Sequence, residues 1–232
     1  MYSVILWDLD NTLLDFTASE KYAFDACMAD AGLTSTDELL SLYSRINLSY
    51  WKMLERGEIA KDVLLRQRFV SFFEEAGITG VDVNRFKDTY QQLLGNVCYY
   101  LDDSLSLCRE IHNTCRQYIV TNGVASTQRN KLNLSGLMDV MDGLFISEEL
   151  GCEKPSAQFF ERCFRQIPDL KKEEAVIVGD SLTSDMSGGN RAGIACCWYN
   201  PSGQPAPDNI RIDHTIRNLW QLLPLLHGDF YL

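Results

Sequence analysis

Short apolar runs that contain β-branched residues recur along the chain, and each is too short to form a helix. They lie at residues 3–7, 117–120, 143–146, 175–178 and 194–198. Helical patterns separate them, at residues 104–112, 125–134, 156–167 and 185–192. Strands that alternate with helices predict a parallel sheet with right-handed crossovers. The sequence therefore predicts an α/β fold, a Rossmann-like parallel sheet in three layers with helices on both faces.

The pattern changes between the first and second of these strands. In residues 15–96 strand-like runs are absent, and apolar residues recur at helical spacing. Examples are Leu39, Tyr43, Ile46, Tyr50 and Leu54. This segment predicts an inserted all-helical cap of residues 15–96 on a catalytic core of residues 1–14 and 97–232. A loop rich in proline and glycine, residues 200–209, is expected to precede a closing strand and helix.

The composition excludes several classes of partner. The formal net charge is -11, from 21 basic and 32 acidic residues. Such a field repels nucleic acid polymers and anionic membrane surfaces, so any phosphate substrate should be a small, locally neutralised metabolite. No stretch is long and apolar enough to span a bilayer. The eight cysteines form no Cys-x-x-Cys pair, which favours reduced thiols in a cytoplasmic protein.

Polar side chains with a shared chemistry follow the predicted strands. In chain order they are Asp8 and Asp10, then Thr121, Asn122 and Gly123, then Lys154, and last Asp180 and Asp185. Ligands bind at the carboxyl ends of the strands in open α/β sheets, so these side chains are expected to meet. Carboxylate oxygens are ligands that Mg²⁺ prefers, and a metal cation together with an ammonium group stabilises the negative charge of a transferred phosphoryl group. Each of these residue groups alone is also typical of an ordinary turn or helix cap. Their occurrence together, in this order along the chain, predicts phosphoryl chemistry.

The two N-terminal acids can divide the work of a phosphatase. One carboxylate attacks phosphorus, while the other passes a proton to the leaving oxygen and later takes one from water. The sequence predicts Asp8 as the nucleophile and Asp10 as the acid/base. The Thr121 hydroxyl is expected to donate to a phosphoryl oxygen, with the backbone N–H groups of Asn122 and Gly123 beside it.

These motifs resemble those of the haloacid dehalogenase (HAD) superfamily of aspartyl-phosphate phosphatases. The matching residues are Asp8-Leu9-Asp10-Asn11-Thr12 for the first motif, Thr121 for the second, Lys154 for the third, and Gly179-Asp180 with Asp185 for the fourth. The resemblance implies a Mg²⁺ cofactor bound by Asp8, Asp180 and the backbone carbonyl of Asp10, with Asp185 supporting the metal's water shell. It also implies that the helical insertion is a C1-type cap, a mobile lid over small substrates.

A closer resemblance concerns the substrate. Residues 47–51, 57–59, 68–69, 121–128 and 146–151 resemble the bacterial nucleotidase branch that dephosphorylates pyrimidine and noncanonical nucleoside monophosphates. It implies a 5'-nucleotidase, in which Phe16, Tyr50 or Trp51 would stack on the base. The alternative is that aromatic residues at helical spacing only form the core of the cap.

Other functions remain open at this point. Within the superfamily they are a sugar-phosphate or phosphoglycolate phosphatase, a phosphoglucomutase-like transferase, and a dehalogenase, which needs neither a metal nor a second acid at Asp10. A phospho-acceptor signalling module would also place acids and a lysine at strand ends, but it needs no general acid and no helical insertion. The sequence does not distinguish a monomer from a dimer.

Overall fold

The computed structural model describes residues 1–227 of the chain. Its strands and α-helices, in chain order, are β1 (Val4–Trp7), α1 (Phe16–Asp30), α2 (Asp37–Glu55), α3 (Lys61–Glu75), α4 (Val83–Gly95), α5 (Ser104–Ile111), β2 (Arg116–Thr121), α6 (Ala125–Ser135), β3 (Gly143–Ile146), α7 (Ser147–Leu150), α8 (Ala157–Phe164), β4 (Ala175–Gly179), α9 (Ser187–Ala192), β5 (Ala195–Tyr199), β6 (His214–Ile216) and α10 (Leu222–His227). The chain forms two compact units. The core unit comprises residues 1–16 and the chain from residue 98 onward, and the helical unit comprises residues 17–97.

The core unit is built on a parallel sheet of six strands in the order β3-β2-β1-β4-β5-β6. Every neighbouring pair is parallel, and the predicted α/β fold class is confirmed. The predicted helix at residues 185–192 differs in its first turn. A π turn, Leu182–Met186, precedes α9, so Asp185 lies in a wider turn than a regular helix would give it.

Both faces of the sheet are buried, which makes the core unit three-layered. Side chains alternate along a strand, and in β1 Val4 and Leu6 lie in one buried cluster with Phe160 of α8. Ile5 and Trp7 lie in a second cluster, with side chains of α5 and α6. A strand covered on both faces reads as a continuous apolar run, which explains the run seen in the sequence.

The two connections to the helical unit leave the core unit side by side. The backbone N–H of Asp15 donates to the carbonyl of Tyr99 at 2.8 Å, and that of Leu101 donates to the carbonyl of Leu13 at 3.1 Å. The first bond ties Asp15 to the core unit. The first boundary falls after residue 16, whereas the sequence predicts it after residue 14. The second boundary falls after residue 97, and the sequence predicts it after residue 96.

Aromatic side chains fill the interior of the helical unit. Tyr43 of α2 stacks on Phe24 of α1 and on Phe69 of α3, with ring centroids 5.2 Å apart in both pairs. A buried guanidinium lies among these rings, because Arg68 sits 4.8 Å from the centroid of Phe69 and donates to the side chain of Asn47 at 2.8 Å. For Tyr43, the helical spacing of apolar residues in the sequence therefore reflects packing in the core of the helical unit.

Within residues 1–227, no helix has both the length and the apolar character needed to cross a membrane. All eight cysteines are free thiols.

Candidate active site

The carboxyl ends of three adjacent strands bring the first and last motifs together. β1 lies between β2 and β4, and Trp7, the last residue of β1, is level with Ile119 on one side and Val178 on the other. Asp8 therefore emerges beside Asp180, which follows β4. One carboxylate oxygen from each of Asp8, Asp180 and Asp185 lies within 4.8 Å of the other two. We call these three residues the acidic cluster.

Lys154 is buried and joins two members of this cluster. Its Nζ donates to one oxygen of Asp8 and one oxygen of Asp185, at 2.7 Å each, and to the carbonyl of Val120 at 2.8 Å. Asn122 holds the backbone of Lys154 from both sides. Its Oδ1 accepts from the Lys154 N–H at 2.8 Å, and its Nδ2 donates to the Lys154 carbonyl at 2.9 Å. The side chain of Asn122 thus positions Lys154, a role that the sequence did not indicate.

The second carboxylate oxygens of Asp8 and Asp185 also accept hydrogen bonds. The Thr12 hydroxyl donates to Oδ2 of Asp8 and accepts from the backbone N–H of Asp180, at 3.1 Å each. Asp185 Oδ2 accepts from the Ser181 N–H at 3.1 Å. A Cβ at Gly179 would lie 2.3 Å from that carboxylate oxygen, so the close approach of Asp185 to β4 requires glycine at this position.

The acidic cluster holds more negative charge than Lys154 can balance, and the pKa values of Asp8 and Asp180 are raised. Burial raises the pKa of Asp8 to about 7, with Lys154 opposing this effect and Asp185 adding to it. Burial, together with the charges of Asp8 and Asp185, holds the pKa of Asp180 well above its ordinary range. Burial disfavours the charge of Lys154, but Asp185 and Asp8 outweigh it and raise the pKa of the ammonium.

These residues fit Mg²⁺. When all three carboxylates are ionised, the Lys154 ammonium balances one of their charges and two are left for a divalent cation to balance. The donors are oxygens of buried or half-buried carboxylates, the ligands that Mg²⁺ prefers in proteins. Asp8, Asp180 and Asp185 would hold the ion through side chains.

Asp10 lies outside the acidic cluster, with its carboxylate bound elsewhere. Lys131 Nζ lies 2.7 Å from Oδ1 of Asp10, and Gln128 Nε2 donates to Oδ2 at 2.6 Å. Asn11, which follows, has a φ of 61° and turns the chain back. The Asp10 side chain is therefore separate from the carboxylates that could bind a metal, and any contact of Asp10 with the ion would use its backbone, as the resemblance implies. Neither Gln128 nor Lys131 was singled out as a site residue from the sequence.

Thr121, the last residue of β2, is fixed by two donors. Its hydroxyl accepts from the Gly123 N–H at 3.0 Å and from Gln128 Nε2 at 2.8 Å. The Gly123 N–H, expected to face a phosphate, donates to Thr121 instead. A Cβ on Gly123 would lie 2.1 Å from Gln128 Nε2, so glycine at this position leaves room for the amide.

The three aromatic residues predicted to stack on a base do not all belong to one unit. Phe16 lies in the core unit, and its ring centroid is 5.3 Å from Lys131 Nζ. Trp51 lies on α2 in the helical unit and is half-buried. Its neighbour Tyr50 is hydrogen-bonded to the Ser71 hydroxyl at 2.8 Å. Base binding by Phe16, Tyr50 or Trp51 stays a prediction.

The fold and the acidic cluster agree with what a family comparison finds. The model of the haloacid dehalogenase-like hydrolase family matches residues 5–199. The chain therefore belongs to this family. The predictions of a hydrolase of the HAD superfamily, and of its phosphatase branch, are confirmed.

Three relatives narrow the comparison. The chain is 33% identical to the HAD-hydrolase YfnB of Bacillus subtilis, with 97% of this chain and 96% of the relative covered. A YfnB crystal structure, described as bound to magnesium and as revealing interdomain movement, matches with a TM-score of 0.92 over 97% of this chain and 98% of that one. The pyrimidine 5'-nucleotidase PynA of Streptococcus pneumoniae is 36% identical, with 86% and 84% covered. The pyrimidine 5'-nucleotidase YjjG of Escherichia coli is 30% identical, with 96% of each covered.

Proposed function

We propose that this protein is a Mg²⁺-dependent 5'-nucleotidase that hydrolyses pyrimidine or noncanonical nucleoside monophosphates through an aspartyl-phosphate intermediate. The observation that carries the chemistry is the separation of two carboxylates that lie two residues apart. Asp8 belongs to the acidic cluster, whereas Asp10 is bound by Lys131 and Gln128. The names of PynA and YjjG support the substrate class.

In the first step Asp8 attacks phosphorus. An Asp8 carboxylate oxygen forms a bond to phosphorus as the bond from phosphorus to the 5'-oxygen of the nucleoside breaks. Asp10 enters this step protonated and gives its proton to the leaving oxygen, which departs as the nucleoside hydroxyl. The ionised Asp10 that results is the form that pairs with Lys131. The products of the step are the free nucleoside and phosphorylated Asp8.

In the second step water removes the phosphoryl group. Ionised Asp10 takes a proton from water as the water oxygen bonds to phosphorus, and the bond between phosphorus and the Asp8 oxygen breaks. Inorganic phosphate leaves, Asp8 is a carboxylate again and Asp10 is again protonated. The cycle needs no co-reactant other than water.

The surrounding residues supply charge and position. Lys154 binds Asp8 and Asp185 directly, which favours the ionised form of the nucleophile and adds positive charge next to the transferred group. The Thr121 hydroxyl at the end of β2 can donate to a phosphoryl oxygen. Mg²⁺, when bound, would lower the repulsion between the acidic cluster and the phosphate.

The proposal extends to the partners and the location. The substrate is a small phosphorylated metabolite, and selection of the base is assigned to the helical unit, with Trp51 as the first candidate. Location in the cytoplasm is proposed from the eight free thiols, since disulfides are rare there.

A substrate panel tests this function. We expect kcat/KM with Mg²⁺ to be higher for pyrimidine or noncanonical nucleoside 5'-monophosphates than for sugar phosphates or phosphoglycolate, because kcat/KM measures discrimination at the transition state. The Asp8→Asn variant serves as the control for contaminating phosphatases. Higher kcat/KM for a sugar phosphate or phosphoglycolate would contradict the nucleotide assignment while leaving the phosphatase chemistry intact.

A further inference from the structure

We propose that Gln128 and Lys131 of α6 are positioning residues that fix the acid/base Asp10 and the phosphoryl donor Thr121 as one unit, here called the α6 clamp. The consequences for turnover rest on the proposed phosphatase function. The geometry of the clamp does not, because it is given by contacts inside the core unit.

Lys131 holds Asp10 from a buried position. The Lys131 side chain is 1% exposed and that of Asp10 is 27% exposed, with 2.7 Å between Nζ and Oδ1. Burial of an ammonium group is costly unless a counter-charge meets it. The ring of Phe16 packs against the same ammonium, 5.3 Å from its centroid. Lys131 is therefore anchored from two sides, and its ion pair with Asp10 restrains the more exposed carboxylate.

Gln128 connects Asp10 to Thr121 through a single nitrogen. Its Nε2 donates to Asp10 Oδ2 at 2.6 Å and to the Thr121 hydroxyl at 2.8 Å, which uses both amide hydrogens. If the Gln128 amide were flipped, its Oε1 would face the Asp10 carboxylate, which has no hydrogen to donate when it is ionised. The contact with Asp10 therefore decides which amide atom is the nitrogen. Gln128 and Lys131 are three residues apart on α6, a spacing that places both on one face of the helix.

One feature of Gln128 argues against a purely structural role. Its Oε1 is buried without a hydrogen-bond partner in the part of the chain that the structure describes. A buried orphan acceptor is unfavourable. The amide keeps this arrangement while its nitrogen bridges two groups of the proposed reaction. Gly123 allows it, since a Cβ there would lie 2.1 Å from Nε2.

The clamp also determines where the Thr121 hydroxyl hydrogen points. The hydroxyl oxygen accepts from Gly123 and from Gln128, which occupies both of its lone pairs. Its own hydrogen must point away from these two donors. The clamp therefore leaves Thr121 as a donor, the role that binding a phosphoryl oxygen requires.

The test compares Lys131→Met and Gln128→Leu, each near the original volume, with Lys131→Arg and with Lys172→Met. Lys172→Met controls for the loss of a lysine ammonium outside the site. Lys172 is exposed, and its ammonium lies 5.2 Å from the Phe164 centroid and donates to the carbonyl of Ala192 at 2.9 Å. The first readout is the position of Asp10 in crystal structures of the substrate-free variants with Mg²⁺. We expect the Asp10 carboxylate to move or to occupy several rotamers in Lys131→Met and Gln128→Leu, and to keep its position in Lys172→Met.

The second readout is kinetic. We expect kcat for a nucleoside monophosphate to fall about 10²-fold in Lys131→Met, the size of effect that a misplaced group produces, with little change in KM. With 4-nitrophenyl phosphate, whose leaving group needs no proton, loss of Asp10 positioning should slow mainly the second step. A burst of nitrophenolate larger than in the wild type is then expected, and Lys131→Arg should restore most of kcat.

The outcomes separate the two proposals. An unmoved Asp10 carboxylate in both clamp variants would overturn the clamp, and so would a rise in KM at unchanged kcat, which would assign Lys131 to substrate binding. A wild-type protein that hydrolyses neither substrate with Mg²⁺ would overturn the proposed function, and the crystal structures alone would then decide the clamp.

Discussion

Replacement of Lys154 by methionine removes one ammonium group and keeps most of the side-chain volume. In the wild type this group lies 2.7 Å from Asp8 and from Asp185, and the side chains of Lys154 and Asp185 are 2% and 1% exposed. Removal of one partner from a buried ion pair costs about 3–5 kcal/mol, because the other charge stays buried. We predict that Lys154→Met lowers the free energy of unfolding by about that amount in the presence of a chelator and abolishes turnover.

Urea unfolding followed by circular dichroism measures this effect, with and without Mg²⁺. The variant has more unbalanced negative charge, so Mg²⁺ should raise its free energy of unfolding more than that of the wild type. Lys172→Met is the control, and a surface substitution of this kind usually changes stability by no more than about 0.5 kcal/mol. If Lys154→Met loses no more stability than Lys172→Met in chelator, the three carboxylates do not depend on Lys154 for balance and the electrostatic account of the site is wrong.

Three further predictions concern activity. Asp10→Asn should lower kcat by about 10²–10⁴-fold, the usual worth of general acid/base catalysis, and a variant with wild-type kcat would remove Asp10 from the mechanism. Chelation should abolish turnover, Mg²⁺ should restore it and Ca²⁺ should do so poorly, because Ca²⁺ takes a larger and looser ligand shell; full turnover in excess chelator would support the dehalogenase alternative instead. Trp51→Ala should lower kcat/KM for a nucleotide by an amount equivalent to roughly 1–3 kcal/mol, the contribution of a stacked base, and leave kcat/KM for an aryl phosphate unchanged. The control is Trp220→Ala, because Trp220 is exposed. Equal losses on both substrates would make Trp51 a packing residue.

The strands and the acidic cluster were predictable for physical reasons. A strand buried on both faces appears in the sequence as a short apolar run, and the parallel order places the residue after each run at one edge of the sheet. Asp8, Thr121 and Asp180 could therefore be assigned to a common edge. Lys154 was assigned to the same edge from its place in the order of these polar residues, although α7 separates it from the end of β3.

The α6 clamp could not be predicted in the same way. Gln128 and Lys131 reach Asp10 only because α6 packs with one particular face toward the turn after β1, and helical periodicity does not specify that rotation. The π turn before α9 is a similar case, since the close approach of Asp185 to Gly179 depends on tertiary packing. In the helical unit, the helical spacing of apolar residues predicted that Tyr43 lies on the buried face of α2. It did not predict that Arg68 would be buried among the aromatic rings.

Direct detection of the covalent intermediate tests the central claim. The enzyme is mixed with a nucleoside monophosphate and Mg²⁺, quenched in acid during turnover, digested, and analysed by mass spectrometry. The mechanism predicts one added phosphoryl group on the peptide that contains Asp8, and none in Asp8→Asn. With 4-nitrophenyl phosphate, whose leaving group needs no proton, the phosphorylated peptide should be more abundant in Asp10→Asn than in the wild type, because hydrolysis of the intermediate lacks its base. A phosphoryl group on another residue, or unmodified Asp8 during turnover by both the wild type and Asp10→Asn, would contradict the assignment of Asp8 as the nucleophile.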